Sequence, residues 1–167
     1  IGKALGARVI ATAGSDDRAA KAKKLGADEV IQYNTEDVTA QVKALVPDGV
    51  NVLWETRREA DFEWAVPLLA KRGRMVVMAG REARPVFPVG PFYVKGCELH
   101  GFAMFNYSAA EQRQCGEDLN RWLAEGKLRA NIDRTLPLAK AAVAHRLQEG
   151  NTIHGSGTLA GKIILKL

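Results

Sequence analysis

The chain has 167 residues with 24 Lys+Arg against 19 Asp+Glu, a formal charge of +5, and 47% hydrophobic residues. That is the size of about one domain with an ordinary globular composition, which excludes a disordered chain. No apolar run nears the roughly 20 residues of a membrane span, and two distant cysteines, Cys97 and Cys115, exclude a disulfide framework or a cysteine-rich zinc site within the chain.

Ile1 to Gly6 (IGKALG) reads as a last helical turn closed by glycine, which predicts a chain cut inside its first helix, with a further segment upstream. Ala7 to Ala13 reads as a buried strand, followed by Gly14. Ser15 is placed to cap a helix reaching Leu25, with Asp16 and Asp17 in its first turn. Glu29 to Tyr33 is a second strand. Thr35 is the expected cap of a helix that Pro47 stops. Val50 to Trp54 reads as a strand, Ala60 to Lys71 as a helix and Arg74 to Ala79 as another strand. Residues 81–96, with three prolines, read as a long loop, and Glu98 to Phe105 as a strand. Ser108 caps a longer helix through Leu123. A weaker strand near Asn131 to Leu136, a helix from Leu138 to Gln148, a glycine-rich loop (Gly150 to Gly161) and a last strand, Lys162 to Leu167, complete the chain.

Strand and helix alternate, and the strands are continuous apolar runs. This predicts an α/β fold with a doubly wound parallel sheet covered on both faces. In such sheets the ligand lies at the carboxyl ends of the strands. The candidates are therefore Gly14 and Ser15, Tyr33 and Asn34, Glu55 to Arg58, and Met78 to Arg81. No GxGxxG is present; the glycine-rich phosphate turn would precede Ile1.

The charge is unevenly spread. Residues 1–83 carry 13 basic and 12 acidic residues, and residues 84–167 carry 11 and 7. Acids interleave with the bases, which argues against a nucleic-acid face and for solvated helix surfaces. His100, His145 and His154 are scattered and form no HxxxH or HxxE pair. No Ser-His-Asp or Cys-His spacing stands out, so no catalytic residue is nominated.

The succession AxVIATAGSxxRAxxAKxLGADxVIxY, VNVLWET, GRMVVMAG, GFAMFN, EDLNRWLAEGKL, AVAHRLQEG and GKIILKL resembles the second half of a medium-chain dehydrogenase/reductase. The branch it resembles is the zinc-independent quinone oxidoreductase (zeta-crystallin-like) group. The resemblance implies a Rossmann-like cofactor domain over 1–127, truncated at its start. It implies that 128–167 return to a GroES-like domain absent from this chain. It implies a parent enzyme that passes hydride from NADPH, with NADH the lesser choice and no zinc, to a quinone, enone or similar small-molecule carbonyl. The chain alone is then expected to be inactive and to bind cofactor weakly.

By the same resemblance Ser15, Arg18 and Tyr33 face the 2′-phosphate of NADPH. Thr56, Met78, Ala79, Gly80, Phe102 and Met104 lie along the pyrophosphate and nicotinamide. Each has a plainer reading: Ser15 as a helix cap, Arg18 as a surface residue, Tyr33 as a strand-end tyrosine with a wet hydroxyl. Gly80 is equally a turn glycine, and Phe102 and Met104 ordinary core. Asp16 and Asp17 keep a ribose-binding, NADH-type turn open. The family pattern Asp-x-Val-Gly gives way here to Glu55-Thr56-Arg57-Arg58, leaving the arginines as phosphate contacts, acidic-substrate contacts or solvated side chains.

A homodimer through the strand at Glu98 to Phe105 is expected, that strand being at a sheet edge. A cytoplasmic location is expected, with no membrane or nucleic-acid partner. A methyltransferase on a similar sheet and a nucleotide-sensing or interaction module without catalysis are the competing readings.

Overall fold

A computed structural model describes all 167 residues. A short 3-10 turn, Lys3–Leu5, is closed by Gly6 in the left-handed region (φ 80°). Then follow β1 (Ile10–Ala13), α1 (Asp16–Lys24), β2 (Glu29–Gln32), α2 (Val38–Leu45), β3 (Val50–Glu55), α3 (Phe62–Leu68), β4 (Leu69–Val77), α4 (Val89–Val94) and β5 (Glu98–Gly101). The chain ends with α5 (Ala109–Ala124), β6 (Ile132–Pro137), α6 (Ala141–Thr152) and β7 (Lys162–Lys166).

All strand pairs are parallel, as the alternating pattern requires. One continuous sheet is not formed. The ladders are three: β1–β2, β3–β4–β5 and β6–β7. β1 pairs only with β2, and β3 only with β4, so each keeps one edge without a strand partner.

The first two ladders share a helical cover. Ile31 of β2, Val42 of α2 and Leu68 of α3 form one buried cluster, against which Ile10, Val50, Leu53 and Trp64 pack. A second cluster, Ala65, Val66, Leu69 and Met75, lies between α3 and the β3–β5 ladder. The register sets the faces: Leu53, Met75 and Leu99 are aligned across three strands, as are Trp54, Val76 and His100. Side chains alternate along a strand, so the first row faces α3 and the second the opposite side. On that opposite side Val52 is 54% and Trp54 63% exposed.

Several boundaries differ from the sequence reading. Asp37, not Thr35, caps α2, its carboxylate accepting from the Ala40 N–H at 3.0 Å. The helix expected to Lys71 ends at Leu68, because Pro67 has no N–H to give and the chain turns extended at Leu69. The Lys95 ammonium closes that end, donating to the carbonyls of Val66 (3.2 Å), Pro67 (2.9 Å) and Leu69 (2.7 Å). Residues 70–73 then bulge, with Arg72 at φ 58°, before the regular ladder resumes at Arg74.

Within the proline-rich segment Val89–Val94 is helical, anchored by Phe92, whose ring meets Phe87 edge-on at 5.0 Å. The strand expected to Phe105 stops at Gly101, and Met104–Asn106 is a 3-10 turn. The Ser108 cap is as expected: Ser108 and Glu111 form a reciprocal capping box. No helix is long and apolar enough to cross a membrane.

Candidate functional site

Two rims lie at the carboxyl ends of the strands. The first joins the ends of β1 and β2. Ser15 leaves β1 in an extended conformation, and its hydroxyl accepts the Arg18 N–H at 3.4 Å, which starts α1. Tyr33 lies over the same turn: a methyl group at Gly14 would overlap its hydroxyl. The Asn34 amide donates to the Gly14 carbonyl at 2.7 Å. Gln32 donates to Asp16 at 2.8 Å, which engages one of the two acids of the turn. The Ser15 hydroxyl, the Arg18 backbone N–H and the Tyr33 ring thus lie about one turn. The Arg18 side chain makes neither an ion pair nor a hydrogen bond. An unpaired guanidinium, a hydroxyl and a phenol are donors suited to a phosphate.

The second rim joins the ends of β3 and β4. Glu55 is 5% exposed and is the one buried charged residue. Burial pushes its pKa up. The hydrogen bonds and charge of Arg57, with the backbone N–H groups of Arg57 and Thr56, outweigh burial and hold it below the ordinary 4.5. Arg57 is held in return, its pKa raised by the bond to Glu55. The sequence leaves Arg57 open between phosphate contact, acidic-substrate contact and solvated side chain. In the structure its guanidinium is committed to Glu55. Arg58 has no such partner, and its carbonyl packs on Gly80: a methyl group there would overlap that oxygen. Gly80 sits at φ 79°, so both its conformation and this contact call for glycine.

The remaining candidates are dispersed along the β4 and β5 ends. Thr56 and Ala79 are exposed. Met78 is 42% exposed, and its sulfur accepts the Trp54 indole N–H at 3.0 Å. Phe102 continues the ladder, its N–H donating to the Val77 carbonyl at 2.9 Å, and its ring lies 5.3 Å from that of Tyr107. Met104 is 63% exposed on its 3-10 turn. These side chains are therefore not the ordinary core of the plainer reading. A cleft of about 680 Å³ opens beside the second rim, lined by Arg57, Asp61, Phe62, Glu63, Glu82 and Arg84 among others. Sequence reasoning names Asn34 as a strand-end candidate but not its bond to the Gly14 carbonyl, and it misses Gln32, whose place at the end of β2 is the available signal.

No three His, Cys, Asp or Glu side chains gather where they could hold a metal ion.

The family described as zinc-binding dehydrogenase matches residues 1–124. The quinone oxidoreductase of Homo sapiens is 28% identical over 168 residues, an alignment that takes in 100% of this chain and 49% of that protein. A trans-enoyl reductase of Aspergillus terreus is 32% identical over 155 residues, 87% of this chain and 41% of its own. Among solved structures, Escherichia coli quinone oxidoreductase complexed with NADPH superposes with a TM-score of 0.77 at 25% identity, covering 99% of this chain and 51% of that one. The chain spans about half the length of the curated relatives it matches.

Proposed function

The chain belongs to the zinc-binding dehydrogenase family, and on that premise we propose that it is the dinucleotide-binding half of an NADPH-dependent oxidoreductase. The acceptor class we assign is a quinone, enone or similar carbonyl. The observation that carries the cofactor reading is the first rim, where Ser15 and Tyr33 lie on one turn beyond β1 and β2 and the first turn of α1 carries the unpaired Arg18. The NADPH bound to the Escherichia coli neighbour supports the same choice. The human quinone oxidoreductase and the Aspergillus enoyl reductase support the acceptor class.

Bound NADPH would supply a hydride from its nicotinamide. This chain's residues would bind and orient it. Arg18 and Tyr33 would hold the 2′-phosphate and select against NADH, which has only a ribose diol there. Thr56, Met78, Ala79 and Gly80 would line the crevice between the ends of β3 and β4, and Phe102 and Met104 its β5 side. Despite the family's description, no three side chains able to ligate zinc gather in this chain. We assign 1–127 to the cofactor domain and 128–167, with the separate β6–β7 ladder, to the segment that packs on the remainder of a full-length parent.

A second copy is proposed to pair at β5. Phe102 donates inward to β4, so the alternate N–H of Gly101 faces the open edge. Light scattering at about 50 μM should show a dimer, because an interface of standard size would hold at that concentration; a monomer would remove this proposal. The cofactor reading is tested by titrating the full-length protein with NADPH and NADH. Tighter binding of NADPH is expected; equal or preferential binding of NADH would overturn the selectivity, and binding of neither would overturn the reading.

A further inference from the structure

Arg57 and Arg58 are chemically identical neighbours with different fates. Arg57 grips Glu55 three ways: its backbone N–H at 2.8 Å, its Nε at 3.0 Å to both carboxylate oxygens, and a terminal nitrogen at 2.5 Å. Its guanidinium also lies over the Trp64 ring, 5.1 Å from the centroid. The Trp64 indole in turn donates to the Thr39 hydroxyl at 2.9 Å, which reaches α2. A line of contacts thus runs from β3 through the loop to α3 and on to α2. The next residue in the loop, Arg58, places its carbonyl on Gly80 at the end of β4. Thr56 to Glu59 are otherwise exposed.

We propose that Glu55 and Arg57 are a positioning pair that fixes the β3–α3 loop against the Gly80 turn and so presets the rim on which the dinucleotide lies. The inference rests on the dinucleotide-binding reading above. In this assignment Arg57 contacts no phosphate. Its guanidinium is neutralised and stacked, which leaves Arg58 as the free cation of the loop. Glu55 keeps the acid that ends the strand in the resembled pattern, and Arg57 stands where that pattern has a small residue, so the pairing is made within this loop. A group that acts through loop position should affect NADPH and NADH alike, since it does not read the 2′-phosphate.

The test uses the full-length protein and three variants. Arg57→Ala removes the grip but leaves Glu55 uncompensated. The double variant Glu55→Gln with Arg57→Met removes both charges, which keeps the fold accessible. Arg57→Lys keeps the charge without the planar fork. Two readouts are taken: NADPH and NADH affinity by nucleotide fluorescence, and the rate of trypsin cleavage after Arg58 without nucleotide. For the first two variants both affinities are expected to fall by about tenfold and by the same factor, because misplacement of a positioning loop is felt at that scale. Cleavage after Arg58 is expected to quicken several-fold, since the loop then opens locally. Arg57→Lys should recover part of each loss. Unchanged affinities in a folded variant would overturn the proposal, as would cleavage no faster than in the wild type. A loss confined to NADPH would also overturn it, by making Arg57 a phosphate contact. Wild-type protein that binds neither dinucleotide overturns the dinucleotide reading instead, and the cleavage rates still decide whether the pair holds the loop.

Discussion

The two rims are built from similar residues and put them to opposite uses. At the first, an arginine follows β1 by five residues and keeps its charge unpaired, on the helix that a serine caps. At the second, an arginine follows β3 by two and gives its charge to the strand's own last residue, Glu55. The difference is burial. β1 ends in Ala13, small and uncharged, so nothing at that strand end demands a counter-ion. β3 ends in a carboxylate that is 5% exposed, and a buried carboxylate must be paired. An arginine near a strand's carboxyl end therefore becomes a free anion contact only where the strand does not consume it.

The packing beneath the rims differs too. The second rim stands on the Ala65, Val66, Leu69 and Met75 cluster, with Met75 0% exposed. Met75→Ala should produce the largest effect, a loss of about 2–5 kcal/mol from transfer and cavity terms, seen as a lower urea midpoint. A loss under about 1 kcal/mol would mean that this rim is no better supported than the first.

Arg18→Ala comes next. Losing a charge-assisted phosphate contact is expected to cost NADPH about 1.5–3 kcal/mol, roughly 10- to 100-fold, while NADH changes little. Parallel titrations of the full-length protein check it, and equal losses would erase the contrast between a free arginine and a spent one.

Ser15→Ala should cost about 1 kcal/mol of stability through the lost cap on α1, read by thermal unfolding. Ser15→Asp should keep the cap yet weaken NADPH, since an anion there repels the phosphate. Together the two variants separate the structural from the binding role of one hydroxyl.

The smallest effect is the acid limb. Glu55 has a folded pKa below its ordinary value of 4.5. Its contribution is therefore complete above that value and is lost as pH falls through the depressed folded one. Arg57 is half exposed and screened, which keeps the size modest. Thermal midpoints followed downward from about pH 6 should decline more steeply in the wild type than in the double variant at Glu55 and Arg57. Identical slopes would show that the pair adds nothing to the second rim.

Much of this was legible in the linear chain. Period and punctuation place the strands and helices because apolar runs, capping serines and closing glycines act locally. The Ser15 and Ser108 caps and the closing Gly6 are found where the sequence places them. The parallel sense follows as well, since a helix between two strands returns the chain to the same end. What local chemistry does not contain is the partner of each group. Whether the ladders join depends on which strand edges meet, and β1 and β3 do not. Pro67 marks the end of α3 locally, but the Lys95 ammonium that closes it comes from 26 to 29 residues along the chain. Arg57 and Arg58 are indistinguishable as letters. Only the burial of Glu55, decided when β3 packs beside β4 and under α3, turns one into a counter-ion and leaves the other free.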